Sequence, residues 1–244
     1  MGVETRHKTV TGEQRAMRNS LDMIKVGGAC LSSLSEQGCD IEVMTDFCAV
    51  EELVRSVGKE SVTAKLSGRF NDFTEESGFW LILNEGGEFA AAVATRFDNI
   101  GRERIGDYMI RTMRRHYPHE AGETLLSFTD ALPDGFHGRM AYIGELFVHP
   151  ERRGSRRRLR HLMILLHCCI ASKWTVDWTY AMMRDRDVMA GFATTYGFTV
   201  QLPGVARWAQ PAPPGRGDAE WLVALSSEHL AHMLRHYAGS LESL

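Results

Sequence analysis

The chain has no long apolar run. None of its 244 residues falls in a stretch approaching the roughly 18 apolar residues that span a bilayer, so a membrane-spanning helix is not expected. The start, MGVETRHKTVTGEQR, has no apolar core of the kind a secretory signal carries. Arg6 stands where an N-myristoylation pattern needs Ser or Thr. A strong excess of one charge is missing too: a net charge of −3 argues against a general nucleic-acid binder, which is usually basic. Cysteine is scarce and unpaired in pattern. There are five, an odd number, with no CxxC, and Cys168 and Cys169 sit in an apolar stretch; they read as reduced thiols in a cytoplasmic protein. Ten histidines offer no pair with supporting ligands at metal-binding spacing, so no metal is expected. Repeats and low-complexity tracts are lacking. What remains is the composition of an ordinary soluble globular protein, with 44% hydrophobic and 24% charged residues. The length suits one large domain, or a domain with an added arm.

Residues 1–39 are polar, with a helical patch near Ala16 to Ile24 that Gly27-Gly28 is expected to break; they read as an N-terminal arm or extra helix outside the main fold. From Asp40 the pattern tightens. IEVM (41–44) reads as a strand, and Val50, Leu53, Val54 and Val57 have helical spacing ended by Gly58. Residues 61–77 fit a helix or a loop. GFWLILNEGGEFAAAVATRFD (78–98) is two strand-like runs joined by a turn at Gly86-Gly87, where glycine supplies the positive φ of a tight hairpin. Residues 106–118 are an amphipathic helix closed by Pro118, and 119–138 carry mixed signals. Strands follow at 142–148, 176–183, 198–203 and 220–226, with helices at about 156–173, 184–197 and 229–238. The 210–218 segment is a Pro- and Gly-rich loop, and its Arg216-Gly217-Asp218 tripeptide reads as loop composition. Strands alternating with helices predict a mixed α/β sheet flanked by helices, over 40–244.

The most informative stretch is AYIGELFVHPERRGSRRRLRHLMILLHCCIASKW, residues 141 to 174: a buried strand, a short basic turn and a long apolar helix. The first N–H groups of a helix have no internal partner and point at whatever sits there. Arg152, Arg153, Arg156, Arg157, Arg158 and Arg160 surround that turn, opposed by Glu151. Several cations at a helix N-terminus oppose its dipole, each at a cost of about 0.3–1 kcal/mol when exposed. A feature with that local cost points to an anion. The bland alternative is a solvated basic helix start.

Three features together resemble the GNAT superfamily of acyl-CoA-dependent N-acyltransferases, over roughly residues 40 to 227. One is the strand ending in Val148-His149-Pro150 with its basic turn, similar to the family's V-x-P-x-x-R-G-x-G-x-G segment. The others are the long apolar helix after it, and Tyr196-Gly197-Phe198 after a short helix. The resemblance implies a centrally splayed sheet, in which the strands at 142–148 and 176–182 separate to admit pantetheine. It implies acetyl-CoA or another acyl-CoA as co-substrate. The N–H groups of Leu146, Phe147 and Val148 would hold the pantetheine amides, and Arg153, Gly154, Ser155, Arg156, Arg157, Arg158 and Leu159 the phosphates. Arg156 and Arg158 replace family glycines, so they would crowd the pyrophosphate or bind it with their guanidinium groups.

The resemblance makes Glu145 the base, or the group that positions a water, for an acceptor amine. Flanking apolar residues would raise its pKa toward useful values. Position 193, where the family often carries the tyrosine that protonates the leaving thiolate, is Ala193; Tyr196, nearly on the same helical face, is the candidate substitute, and a packed aromatic is its plain reading. The expected partner is a small-molecule or peptide amine, in a pocket formed partly by residues 99–140 with His116, His119 and His137; no nucleic acid or membrane is expected. Two other readings remain: an acyl carrier protein as donor, its acidic surface matching the arginines, and a non-catalytic binding or regulatory module of the same fold.

Overall fold

A computed structural model describes residues 12–117 and 124–244. One seven-stranded mixed sheet organises the chain. Its strands are β1 (Cys39–Met44), β2 (Gly78–Glu85), β3 (Glu88–Gly101), β5 (Gly138–Val148), β6 (Trp178–Met183), β7 (Val200–Leu202) and β9 (Trp221–Ser226), in the spatial order β1-β2-β3-β5-β6-β9-β7. Every pairing is antiparallel except β5 with β6. That one parallel pair flanks a helical crossover, as the strand-helix-strand pattern requires. β4 (Leu125–Phe128) and β8 (Ala206–Trp208) form a separate antiparallel pair. The mixed α/β class expected from the alternation is what the chain adopts.

Alternating strand residues divide the interior into two cores. On one face Ala141 and Ile143 of β5 pack against α4 (Arg156–Lys173), through Leu162, Leu166 and Ile170, together with α1 (Gly12–Glu36) and α7 (Ser227–Gly239). On the other, Met140 and Tyr142 pack with α2 (Phe47–Ser56), the 3-10 turn Ala64–Leu66, α3 (Ile105–His116) and the β4–β8 pair. The β2–β3 hairpin turns at Gly86 and Gly87, with φ of 62° and 83°, as its two-residue turn demands.

The structure differs from the sequence reading in three places. The N-terminal helix does not break at Gly27-Gly28 but runs from Gly12 to Glu36. Nor does it stand outside the fold: Val26, Cys30 and Leu34 are fully buried in the α4-side core. A Cβ added at Gly27 would lie 3.8 Å from that of Cys168, so glycine lets α1 lie close on α4, and packing overrides the poor helix propensity. The helix expected over 184–197 is split into α5 (Asp185–Met189) and α6 (Phe192–Thr195), because Gly191 takes a left-handed φ of 81°. The mixed 119–138 region holds β4, four residues too short to carry a period; Pro118 and His119 lie outside the described residues. Among the described residues no helix is long and apolar enough to cross a membrane.

Leu34 and His167 test this packing. Leu34→Ala should cost about 2–5 kcal/mol in urea denaturation, whereas an outlying helix would show almost no change. His167 lies fully buried on α4, its Nε2 3.0 Å from the carbonyl oxygen of Tyr196, and burial pulls its pKa from 6.5 down to about 4, against the Tyr196 bond. The unfolded chain therefore takes up this proton first. Stability should fall as pH drops from 6.5 toward 4, by up to about 3 kcal/mol from this group. A His167→Gln variant should lose that part of the slope; an identical pH profile would remove His167 as its source.

Candidate functional site

β5 and β6 pair only from Met140 to Tyr142, against Trp178 to Tyr180. Beyond that point β6 is held by β9 alone, while β5 continues to Val148 with β3 on one edge and no strand on the other. The two central strands separate there, and residues 144–148 are left partly exposed. An open strand edge is a template on which an extended ligand can form main-chain hydrogen bonds. Leu146, Phe147 and Val148 all lie on this edge.

A bulge sits where the strands part. Ala92 faces Phe147 and Ala94 faces Gly144, so Glu145 and Leu146 together oppose the single residue Val93. Glu145 takes a φ of 61°, the only positive φ of a non-glycine residue among those described. A side chain in this region costs roughly 1–2 kcal/mol, so the surroundings must hold it. Unbroken alternation would put Glu145 beside Ile143, facing α4. The extra residue turns it to the opposite face, and Leu146 and Val148 then rejoin the α4-side core.

On that opposite face the Glu145 carboxylate is gripped. Oε1 accepts from the Thr63 backbone N–H at 2.9 Å and from its hydroxyl at 2.5 Å, and Oε2 meets Lys59 Nζ at 3.0 Å. Its side chain is 4% exposed. These three donors, two of them from a segment that the sequence left undecided, replace the apolar setting expected around it. The neighbouring Gly144 has no room for a side chain: an added Cβ would stand 2.8 Å from Leu66 and 3.1–3.3 Å from the Tyr142 ring and hydroxyl.

The basic turn follows directly, at the end where the strands diverge. Gly154 has a φ of 116°, and Ser155 caps α4, its hydroxyl accepting from the Arg158 N–H at 3.1 Å. The backbone N–H groups of Arg153, Gly154, Ser155, Arg156 and Arg157 bond to no described residue. The arginines separate into two groups. Arg158 forks onto Glu85 at 2.8 and 2.9 Å, and Arg152 joins at 3.3 Å. The Arg158 hydrogen bond, first among several arginine contacts, lowers the Glu85 pKa. Arg160 reaches the Tyr237 hydroxyl and the Ser243 carbonyl. Arg156 donates to the Ala190 carbonyl and lies over the Phe192 ring. Arg153 and Arg157 have no hydrogen-bond or ion-pair partner among the described residues. Arg156 and Arg158 thus point to opposite sides and not across the turn.

Tyr196 is 7% exposed, its ring tilted against that of Phe192 in the α4-side core; burial pushes its pKa up, Asp187 adds to the shift and Arg156 opposes it. Beneath the bulge lies a buried polar group that sequence reading missed. Lys65 is fully buried, its Nζ 2.9 Å from the Tyr108 hydroxyl and 4.5 and 5.0 Å from the rings of Tyr108 and Tyr142. Burial pulls its pKa down to about 7, with Asp98 opposing. Arg96 pairs with Asp98 at 2.7 Å. Arg216, read above as loop composition, is buried and bonded to Glu220 at 2.9 Å. A lone Lys in an undecided segment and an Arg in a Pro-rich loop carry no pattern that would have brought them together. His116 joins this group, 3.3 Å from Asn71, and burial lowers its pKa to about 4. Among the described residues no three His, Cys, Asp or Glu side chains converge as a metal site requires.

No protein-family model matches the chain, and no curated protein matches its sequence. Several solved structures are similar in shape. One is a mutant of agmatine N-acetyltransferase in its apo form, with TM-score 0.46, 13% identity, and coverage of 77% of this chain and 99% of that one. Another is aminoglycoside N(6')acetyltransferase from Legionella pneumophila, with TM-score 0.44, 14% identity and coverage of 80% and 96%. A third is Arabidopsis thaliana NAA60 in complex with acetyl-CoA, with TM-score 0.44, 11% identity and coverage of 78% and 99%. At such identities and scores the likeness is one of partial shape, and the geometry of β5, β6 and α4 stands apart from it.

The packing under the bulge gives a direct test. Gly144→Ala forces its methyl group onto Leu66 and Tyr142 and should destabilise the protein by about 1–3 kcal/mol. A variant with unchanged denaturation midpoint would show that the strand can shift freely there.

Proposed function

We propose that the chain transfers an acetyl or other acyl group from a coenzyme A thioester to an amine. The observation that carries this reading is the parting of β5 from β6 at a bulge, immediately followed by a turn whose five successive N–H groups are free. An open edge suits the two amides of pantetheine, and a helix N-terminus with free N–H groups suits a pyrophosphate. Leu146, Phe147 and Val148 supply the first. The backbone of Arg153 to Arg157 supplies the second, with Arg153 and Arg157 free to reach phosphate. Arg158, committed to Glu85, holds the turn against the β2–β3 hairpin, and Leu159 begins the packed part of the helix. The free state of all five cysteines accords with a cytoplasmic setting.

In this mechanism the acceptor approaches from the Lys65–Tyr142 face and attacks the thioester carbon at the bulge. The amine must first lose a proton, because only its neutral form is nucleophilic. Glu145 accepts that proton through a water or positions the water that does. The Lys59 and Thr63 contacts fix its orientation. Tyr196 donates a hydrogen bond to the departing sulfur. Its raised pKa makes it a weak acid, so Tyr196→Phe should reduce turnover by no more than about tenfold.

Two measurements test the assignment. Arg153→Ala combined with Arg157→Ala should lower coenzyme A affinity, since each charge-assisted phosphate contact contributes about 1.5–3 kcal/mol. The difference from wild type should shrink at high salt. Equal affinity at low salt would return these arginines to a solvated surface. Glu145→Gln should leave coenzyme A binding in place while turnover falls by about 10² to 10⁴, with the deficit smaller at high pH. Wild-type rate and pH profile in this variant would make Glu145 a structural residue only.

A further inference from the structure

The polar group beneath the bulge has more hydrogen-bond donors than the protein uses. Arg216 is the clearest case. Its side chain is 4% exposed; Nη1 donates to Glu220, and the guanidinium also lies against the Tyr142 hydroxyl. Nε and Nη2 are buried and have no hydrogen-bond partner of good geometry among the described residues. These two nitrogens form one edge of the guanidinium plane, the edge that grips a carboxylate with two parallel bonds. The Tyr180 hydroxyl and Trp208 Nε1 are also buried without a partner among the described residues, and the Trp208 ring lies 5.9 Å from the Arg216 guanidinium carbon. Buried donors are almost always satisfied in a folded protein, so several open ones in one cluster point to a missing acceptor.

Charge narrows the choice of that acceptor. Lys65, Arg96 and Arg216 stand against Asp98 and Glu220, close enough for Arg216 and Arg96 to act on Lys65. With Lys65 protonated these five side chains carry one surplus positive charge among the described residues. A carboxylate cancels it, whereas a phosphate dianion overshoots. Position fixes the rest. Arg216 lies beside Tyr142 and Tyr117, and the Tyr142 hydroxyl lies under Gly144, next to the bulge. A molecule anchored at Arg216 therefore lies on the Tyr142 side of the bulge.

We infer that Arg216 holds the carboxylate of a small amino acid acceptor, whose amine is thereby aimed at the Glu145 bulge. This rests on the acyl-transfer reading for its orientation, though not for the carboxylate site itself. The Pro- and Gly-rich 210–218 loop that carries Arg216 is then the part of the chain that selects the acceptor. It favours small amino carboxylates over polyamines or unacidic amines, because those would leave the guanidinium edge buried and unpaired.

The test uses β-alanine and 4-aminobutyrate, each beside its carboxamide, on the full chain. Thermal shift with these probes alone reads binding, and thiol release from acetyl-CoA reads transfer. The acids should raise the melting temperature and turn over with kcat/KM at least about tenfold above the amides. Arg216→Lys keeps the charge but loses the fork, and should erase that preference while the thermal shift by acetyl-CoA persists. If this variant does not fold, Trp208→Phe, which removes one open donor, should reduce the preference severalfold. Equal response to acids and amides, or a preference untouched by the variant that folds, overturns the inference. Arg216-dependent binding of the acids without any response to acetyl-CoA would instead uphold the carboxylate site and reject acyl transfer. Transfer to acids and amides alike would do the reverse.

Discussion

One extra residue in β5 organises everything around it. With the bulge at Glu145–Leu146, β5 keeps its pairing with β3 while its other edge leaves β6. The same residue turns Glu145 away from α4 and onto the face where Lys59, Thr63, Lys65 and Tyr142 lie. The left-handed backbone at Glu145 is unfavourable by itself. It is held because the carboxylate is bound from two sides and because Gly144 leaves space for Leu66 and Tyr142 to close up beneath. Strand separation, side-chain direction and access to the polar group below follow from that one local distortion.

The arginine turn shows how a costly composition is made tolerable. Six cations around a helix N-terminus oppose its dipole. Four are drawn off by partners elsewhere: Arg152 and Arg158 by Glu85, Arg160 by the C-terminal segment, and Arg156 by Ala190 and Phe192. Most of this charge thus serves to tie α4 to the hairpin, the C-terminus and α6. Only the backbone N–H groups and two side chains remain without a partner among the described residues. The side chains at 156 and 158 do not fill the turn because both positions are already helical, with Ser155 as the cap.

The polar group beneath the bulge is of a different kind. Burial of Lys65, Arg96 and Arg216 beside only two carboxylates is expensive unless each charge is paired. Several of its atoms stay unpaired in a core otherwise built of Trp80, Tyr180, Met109 and Leu222. Such an arrangement costs stability, and costs of this kind concentrate where a ligand completes the set.

Much of the architecture was legible in one dimension. The alternation of 78–98, the glycine turn, the apolar run of 159–170 and the order of strand, turn and helix through 142–173 each depend on neighbours within a few residues, and local periodicity reports such neighbours faithfully. Elements whose form depends on distant partners were not legible. Gly27-Gly28 passes through the helix interior because α4 packs against it, and β4 exists because β8 is there to pair with it. The site divides in the same way. The sequence by itself determined which residues flank the central strand and where the free helix N-terminus falls, because both lie within one continuous stretch. Only the tertiary structure decided which face Glu145 occupies, which arginines remain free, and that Lys65 and Arg216 meet beneath Tyr142. The reason is physical: a bulge, an ion pair and a buried cluster are contacts between segments about 50 to 150 residues apart, and no local pattern encodes them.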